Sequence, residues 1–480
     1  MNRDTLLKVN RYYALEAREN FWVYRQYINP KLKLSWFQKE IAYKLMEFYR
    51  DYKAGKRPKL IIEAPPQHGK SVQVIEFISW LAGHDPSSKT IYTSFSERLG
   101  IRANLRLQRI FDSDKYKQVF PETRLNTSNV VAISGQYLRN REILEYVDNE
   151  GYFRNTTIRG SITGESLDVG IIDDPLKGRE EAQSHTIRDK TWDWLTDDFL
   201  TRFSDEAALL IIGTRWHIDD PIGRLRDLYK DLQVLSYKAI AEEDEPHRKK
   251  GEALFPKHKS VEFLLERKKL MSTLSWESLY QSNPIINTGT LFKQSYFKYW
   301  TENEVYITIG ETNIRKDELR IYQTIDPAGT VSQTADDFAC ITFAIHENNI
   351  IVLDTFNEQA LTTTHEDIMS SLRNKWKPIY QAVEKKIFGL NIIQNAANRG
   401  IPVMPLEADG NKIYRAEPLQ VHFKNGLVWF KNGFATLEKQ LLEFPNGKHD
   451  DLVDCLAYAC LLVLDKPVNI VKAWKEIYAE

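Results

Sequence analysis

The feature that most constrains this chain is the segment Ala64-Pro65-Pro66-Gln67-His68-Gly69-Lys70-Ser71, which follows the apolar run Leu60-Ile61-Ile62. It has the spacing of a P-loop between a strand and a helix, except that Ala64 replaces the first glycine. In such a loop, backbone N–H groups surround the phosphates, the lysine neutralises their charge and the serine holds Mg²⁺. The alternative is an ordinary glycine-containing turn with a surface lysine. The pattern predicts an ATP-binding α/β domain whose nucleotide-binding residues include Pro66, Gln67, His68, Gly69, Lys70 and Ser71.

A second apolar run, Val169-Gly170-Ile171-Ile172, ends in two carboxylates, Asp173 and Asp174. The aspartate that ends such a strand in P-loop nucleotidases binds Mg²⁺, so we expect Asp173 to share the ion with Ser71. We expect Asp174 to polarise the attacking water. An Asp-Asp-Pro turn also occurs for structural reasons. Together with the P-loop, however, the acidic strand end predicts hydrolysis of ATP.

Three more residues are candidates for the ATPase site, each with a structural alternative. Thr214 follows the apolar strand Ala207–Ile212 and is expected to sense the γ-phosphate, unless it only starts a turn. Gln38 is expected to hydrogen-bond adenine, although its amphipathic helix also suits a core. Arg159 lies in a glycine-punctuated loop and is expected to stabilise transition-state charge, the alternative being a solvated arginine.

A second group of acids lies near the carboxyl end. Asp326 and Glu384 each end a predicted strand, and Asp450 and Asp451 open the last apolar helix. Carboxylates that converge in this way hold two hard cations, which clamp the attacking and leaving oxygens of a phosphodiester. Acids at these positions also serve as helix caps, and Asp450 has that alternative in particular. We predict a nuclease that uses two Mg²⁺ or Mn²⁺ ions.

The order of elements predicts two α/β domains and a connector. From Leu60 to about Ile240, short apolar runs alternate with helical stretches, as in a parallel sheet. After Leu319, three consecutive strands precede a helix and another strand, which suits a mixed sheet. We therefore expect a P-loop ATPase domain over residues 1–240, a lid or linker over 241–315 and a nuclease domain over 316–480.

Composition and charge exclude several other classes of protein. Sixty-five Lys and Arg residues balance 66 Asp and Glu residues, so any nucleic-acid surface must be a local patch. Three cysteines without a CxxC pair disfavour a disulfide-stapled secreted protein and a zinc module, and fit a reducing cytoplasm. The longest apolar stretch, Cys455 to Leu464, is too short to cross a bilayer. We expect no association with a membrane.

Taken together, these motifs resemble those of the large terminase subunits of tailed bacteriophages. The likeness rests on the P-loop and on Ile171–Pro175, Gly213–Trp216, Ile325–Pro327 and His449–Asp451, and it extends to Trp276–Pro284 and to Asn411-Lys412 with Arg415-Ala416. The resemblance implies an ATPase that pumps double-stranded DNA into an empty capsid. It also implies a ribonuclease-H-like nuclease that cuts concatemeric DNA.

The resemblance further implies partners and residue roles. The partners are the portal protein and a small terminase subunit, with the chain in a homo-oligomeric ring when it is docked on the capsid in the host cell cytoplasm. Lys70 and Ser71 correspond to nucleotide and magnesium ligands, Asp173 to the rest of the magnesium site, and Asp174 to the catalytic carboxylate. Arg159 matches an arginine-finger position. The nuclease metal ligands correspond to Asp326, Glu384, Asp450 and Asp451.

Two residues depart from the family pattern, and two other functions stay open. Asp174 is one methylene shorter than the glutamate that is common there, and Gln67 stands where relatives often carry a basic residue, so we expect a cation to be supplied from elsewhere. One rival function is a helicase–nuclease of repair or restriction, which needs a second motor domain. The other is a non-enzymatic capsid-assembly or portal-binding component, and the intact Lys70 and Asp326 argue against it.

Overall fold

The computed structural model describes residues 3–131, 136–230, 232–284, 291–327, 336–361, 364–385, 393, 395, 402–406, 412–447 and 449–464. The chain divides into two compact units, Met1–Lys268 with Thr273–Ile286 and Lys269–Ser272 with Asn287–Glu480. The range 241–315, expected to be a lid or linker, is shared between these units. Leu254 and Phe255 join the core of the first unit, whereas residues from Lys298 onward form strands of the second sheet.

The aromatic-rich start of the chain folds into three helices, α1 (Arg3–Glu19), α2 (Phe21–Ile28) and α3 (Trp36–Lys53). Asn20 caps α2, because its side-chain oxygen accepts the N–H groups of Trp22 and Val23 at 3.0 and 3.3 Å. The buried faces of these helices join the same core as the helix that follows the P-loop. They therefore support the P-loop segment from one side of the sheet.

The first unit contains a seven-stranded sheet with the order β3-β4-β2-β5-β6-β1-β7. Its strands are β1 (Lys59–Glu63), β2 (Lys89–Ser94), β3 (Ile143–Glu145), β4 (Tyr152–Thr157), β5 (Leu167–Asp173), β6 (Phe203–Gly213) and β7 (Gln233–Ser236). All neighbours pair in parallel except β3 and β4. The predicted mainly parallel sheet is confirmed.

The helices of the first unit follow the strands in the alternation that the sequence indicates. They are α4 (Lys70–His84), α5 (Glu97–Asp112), α6 (Asp114–Val119), α7 (Arg179–Gln183), α8 (His185–Asp193) and α9 (Pro221–Leu228). A π-helical turn, Trp194–Phe199, and a 3-10 turn, Leu200–Arg202, lead into β6. Because β5, β6 and β1 are parallel neighbours, their carboxyl ends meet at one edge of the sheet, where open α/β folds bind ligands.

The second unit contains a nine-stranded sheet with the order β10-β9-β8-β16-β13-β12-β11-β14-β15. Its strands are β8 (Lys298–Glu302), β9 (Tyr306–Ile309), β10 (Thr312–Arg315), β11 (Ile321–Asp326), β12 (Asp336–His346), β13 (Asn349–Ala360), β14 (Gln381–Glu384), β15 (Val403–Leu406) and β16 (Val428–Lys431). β12 is antiparallel to β11 and β13, whereas β14 is parallel to β11 and β15. The predicted mixed sheet is confirmed.

Helices α12 (His365–Trp376), α13 (Lys412–Lys424), α14 (Ala435–Glu443) and α15 (Asp451–Leu464) belong to the second unit, and α10 (Val261–Leu270) and α11 (Thr273–Ser275) lie where the chain passes between the units. The apolar helix α15 is tied to the sheet by a hydrogen bond of 2.9 Å from Thr324 Oγ1 to the carbonyl of Cys455. Within the described ranges, no helix has both the length and the apolar character that a membrane span requires.

Candidate active sites

The P-loop lies at the carboxyl end of β1 and leads into α4. Gly69 adopts φ = 88° at the N-cap of α4, and Gln67 adopts φ = 62°. The loop borders a cleft of ≈ 400 Å³, lined by Pro66, Gln67, Gly69, Lys70, Ser71, Val72, Phe95, Asp174, Leu176, Lys177, Thr214 and Trp216. The structure therefore brings the predicted loop residues together with Asp174 and Thr214, which come from the ends of β5 and β6.

Asp173 is buried at the end of β5, and its surroundings suit a cation ligand. Burial raises its pKa to about 6, and the Asp174 carboxylate adds to the rise. The Lys70 ammonium and the hydroxyl groups of Tyr92 and Ser71 oppose it. Asp173 Oδ2 accepts a hydrogen bond from Tyr92. Its Oδ1 is buried and has no hydrogen-bond partner among the residues that the structure describes. Ser71 and Asp173 therefore fit a hard cation with oxygen ligands.

Asp174 is placed by β6 and faces Lys70. Its Oδ1 accepts the Thr214 N–H at 2.9 Å and lies 3.3 Å from Thr214 Oγ1. The same oxygen lies 3.6 Å from Lys70 Nζ. Asp174 has φ = 50°, and its own N–H donates to the carbonyl of Ile212 at 2.8 Å. A carboxylate held in this way borders the cleft beside the P-loop lysine.

Besides the buried Asp173, three predicted ATPase residues of the described chain lie outside this lining. His68 is buried within the loop, with Nδ1 3.0 Å from the Pro66 carbonyl. Gln38 is buried behind Gly69, and its backbone carbonyl accepts from Gln73 Nε2 at 2.8 Å. Arg159 is exposed after β4 and lies 3.7 Å from Glu181. Their predicted roles toward the nucleotide stay predictions.

The acids of the second unit begin with Asp326 and Glu384, which end β11 and β14. These strands pair in parallel, and Ile325 lies opposite Val383. Asp326 and Glu384 each follow one residue of this pair, so they end neighbouring strands at the same level. Both side chains are buried. Burial and the nearby Glu384 carboxylate together raise the pKa of Tyr458. Asp326 adds to the effect of burial in raising the pKa of the Cys455 thiol, so both acids lie beside α15.

The acids at the start of α15 are paired with basic side chains from α13. Lys412 Nζ lies 2.6 Å from Asp450 Oδ1 and 3.5 Å from Asp454 Oδ2, and Arg415 lies 3.1 Å from Asp454 Oδ1. Burial raises the pKa of Asp454, whereas Arg415 and Lys412 lower it. Across the described ranges, no group of three or more His, Cys, Asp or Glu side chains is placed to hold a metal ion. The four-carboxylate set with Asp451 therefore stays a prediction.

Comparison with protein families separates the same two parts of the chain. Residues 61–299 match the family described as terminase large subunit, T4-like virus type, N-terminal, and residues 323–462 match the terminase RNaseH-like domain. The chain belongs to the large terminase family. It carries the ATPase domain and the RNase H-like nuclease domain of that family. No curated protein matches this sequence.

Solved structures similar to this terminase include proteins of bacteriophages and of human cytomegalovirus. The large terminase of a thermophilic bacteriophage, in complex with ADP, is 12% identical, with a TM-score of 0.48 over 90% of this chain and 100% of that chain. The large terminase nuclease of thermophilic phage G20c with bound magnesium is 14% identical, with a TM-score of 0.28 over 37% of this chain and 98% of that chain. The terminase nuclease domain of human cytomegalovirus is 13% identical, with a TM-score of 0.26 over 32% and 86%.

Several residues at the two sites of this terminase are not identified by the sequence motifs. Phe95, Lys177 and Trp216 line the ATPase cleft although none belongs to a phosphate-binding pattern. Asp454 is the most buried acid at the start of α15, yet in the sequence it is one of several acids in a row. A signal was available only for Asp454, because the spacing from Asp450 to Asp454 is one helical turn.

Proposed function

We propose that this terminase is a DNA-packaging motor: ATP hydrolysis in the first unit drives double-stranded DNA into the procapsid, and the second unit cuts concatemeric DNA. The observation that carries the proposal is the convergence of Lys70, Ser71, Asp173 and Asp174 at one edge of a parallel sheet. The family acts with DNA, a portal protein and a small terminase subunit. We therefore propose these partners, a ring of subunits on the portal, and action in the host cytoplasm.

The ATPase residues divide the chemistry among them. Lys70 would neutralise phosphate oxygens, and Ser71 and Asp173 would hold a Mg²⁺ ion, which supplies further charge stabilisation when bound. Thr214 fixes one oxygen of Asp174, which leaves the second to accept a hydrogen bond from the attacking water. Arg159 is the proposed source of positive charge in the transition state. Because its side chain is exposed, it suits the ATPase site of a neighbouring subunit as well as the site of its own subunit.

The nuclease proposal rests on Asp326 and Glu384, two buried carboxylates at adjacent strand ends. They fit one divalent cation, and such cations stabilise charge on the attacked phosphodiester when bound. A second ion would need Asp450, Asp451 or Asp454 as a ligand. Lys412 is paired with Asp450, so binding of the ion by Asp450 would require this lysine to move away. A helicase–nuclease is a weaker candidate, because the second unit contains a mixed sheet rather than a second parallel motor sheet.

Replacing Asp174 by Asn tests the ATPase assignment. The amide keeps the shape of the side chain and removes the charge, so we expect ATP turnover to fall by about a hundredfold or more, with ATP affinity within about threefold of the wild-type value. Glu180→Gln, an exposed acid in the following segment, is the control and should turn over ATP normally. Normal turnover by Asp174→Asn would remove Asp174 from the mechanism.

Metal removal tests the nuclease assignment. The purified chain should cut supercoiled plasmid with Mg²⁺ or Mn²⁺, lose the activity in EDTA and regain it when the metal is restored. Glu384→Gln should lower the cleavage rate by about a hundredfold, and the exposed strand residue Glu358→Gln should leave it unchanged. Cleavage that persists in EDTA would contradict a metal-dependent site.

A further inference from the structure

The P-loop is contacted by side chains from a distant part of the sequence. His258 Nε2 lies 3.1 Å from the main-chain oxygen of Gln67, and Lys259 Nζ donates to Gln67 Oε1 at 3.0 Å. Gln67 lines the nucleotide cleft. A residue of the phosphate-binding loop is thus held at its backbone and at its side chain by consecutive residues of one turn.

This turn is anchored in the core of the first unit. Leu254 and Phe255 are buried, and the Leu254 N–H donates to the carbonyl of Ala239 at 2.8 Å. The N–H groups of His258 and Lys259 donate to the carbonyl of Phe255 at 2.9 and 2.8 Å. The Phe255 ring packs against Phe37 with centroids 5.7 Å apart. The turn therefore presents Lys259 from a fixed backbone.

The Lys259 side chain is itself restrained. Its ammonium lies 4.6 Å from the centroid of the Phe263 ring, on the first turn of α10. Such a cation–π contact lowers the freedom of a long flexible side chain. Lys259 is also only partly exposed. The contact with Gln67 is thus made by a lysine that the Phe263 ring already restrains.

The contact fixes the orientation of the Gln67 amide. An amide oxygen only accepts hydrogen bonds and an ammonium only donates, so Oε1 faces Lys259. The NH₂ group of the same amide then points away from Lys259 and keeps its donors for another acceptor. Since Gln67 lines the cleft, phosphate oxygens are the acceptors of matching chemistry. The ammonium also polarises the amide and strengthens its donors.

The loop has little positive charge of its own. Lys70 is the sole basic residue within Ala64–Ser71 apart from His68. Burial lowers the pKa of His68 to about 4, and the proximity of His258 and Lys259 also lowers it. His68 is therefore neutral near pH 7. Lys259 supplies a fixed cation beside a loop that otherwise depends on Lys70.

We propose that Lys259 is a positioning residue of the ATPase site, which orients Gln67 toward the phosphates of a nucleoside triphosphate and adds positive charge next to the P-loop. This inference rests on the proposed function of the cleft. It assigns to the range 241–315 a role in nucleotide binding. Lys259 acts through Gln67 and does not itself touch the reacting atoms.

Five variants of the full chain test this role: Lys259→Ala, Lys259→Arg, Gln67→Ala, the double variant Lys259→Ala/Gln67→Ala, and the control Lys257→Ala. Lys257 is an exposed lysine on the same turn. The measurements are equilibrium binding of a fluorescent ATP analogue, steady-state ATP hydrolysis and thermal unfolding. We expect Lys259→Ala to weaken binding and raise KM by about tenfold, with kcat within about twofold of wild type and an unchanged unfolding midpoint.

Two comparisons distinguish positioning from a structural effect. Lys259→Arg should recover affinity to within about threefold of wild type, because a guanidinium also donates to an amide oxygen. In the Gln67→Ala background, Lys259→Ala should lower the affinity for the ATP analogue by less than about threefold, since the residue through which Lys259 acts is gone. Equal behaviour of Lys259→Ala and Lys257→Ala, or a full tenfold loss in the Gln67→Ala background, would overturn the inference. If the wild-type chain neither binds nor hydrolyses ATP, the proposed function itself fails.

Discussion

At the scale of single residues, two positions at the ATPase cleft have left-handed backbones without being glycine. Gln67 has φ = 62° and Asp174 has φ = 50°, conformations that cost on the order of 1 kcal/mol and persist where the surroundings impose them. Gln67 is held by His258 and Lys259. Asp174 is held by the ends of β5 and β6. Both strained residues border the nucleotide cleft, which is where such conformations concentrate.

The residues that a sequence predicts at this site are those that belong to one local pattern. Lys70 and Ser71 follow from strand, loop and helix signals within a few residues of each other, and Asp173 follows from the end of its own apolar strand. Lys259 does not, because its contact with Gln67 spans 192 residues of sequence and depends on how the turn packs. The sequence shows that position 67 lacks a positive charge, but only the fold shows that Lys259 lies beside it.

His68 makes stability depend on pH. Its pKa is about 4 in the folded chain because of burial, against an ordinary value of 6.5. Protons therefore bind the unfolded chain first, and stability falls as the pH drops from about 6.5 toward 4. Between pH 7 and pH 5 the wild type should lose about 2 kcal/mol more than His68→Gln. Urea unfolding of both proteins at the two pH values measures this, and equal losses would contradict it.

At the scale of elements, the buried strands were predictable and the edge strands were not. β1, β5 and β6 each contain a continuous apolar run, which is typical of strands covered on both faces. β3 is an antiparallel edge strand, and its sequence carries no such run. β8 to β10 add an antiparallel extension to the second sheet through segments of only four or five residues. Their position depends on long-range pairing with β16.

The P-loop helix α4 provides a test of packing at this scale. A Cβ added at Gly83 would meet the Phe120 ring at 2.3 to 2.6 Å, so Gly83→Ala should destabilise the first unit by about 1–3 kcal/mol despite the higher helix propensity of alanine. Gly178, where an added Cβ meets nothing within 4 Å, is the control, and Gly178→Ala should change stability by less than about 0.5 kcal/mol. Denaturant unfolding compares them, and equal stability of the two variants would contradict this packing.

At the scale of the whole molecule, the sequence predicts two different α/β sheets, and both are confirmed. The predicted ranges 1–240, 241–315 and 316–480 were placed where apolar periodicity weakens. In the structure, residues of the middle range belong to both units, because buried apolar side chains such as Phe255 join a core even when the surrounding segment is polar. A local loss of hydrophobic periodicity indicates a loop, whereas the boundary between two units depends on which core each residue joins.

Two units with separate cores should unfold separately, and nucleotide should stabilise one of them. In calorimetry, the transition that Gly83→Ala lowers belongs to the first unit. Saturating ADP with Mg²⁺ should raise that transition by about 5 °C and leave the other unchanged, because ligand binding stabilises only the folded state that binds it. Lys70→Ala should remove the shift. An equal shift of both transitions would contradict a nucleotide site confined to the first unit.

The most direct test of the account measures phosphate release from ATP and linearisation of supercoiled plasmid in the same reaction, for wild type, Lys70→Ala and Asp326→Ala. We expect Lys70→Ala to abolish ATP turnover and to keep plasmid cleavage, and Asp326→Ala to do the reverse, because each residue belongs to a different unit. Loss of both activities in either folded variant, or cleavage by Asp326→Ala with normal metal dependence, would contradict two independent phosphate chemistries in one chain.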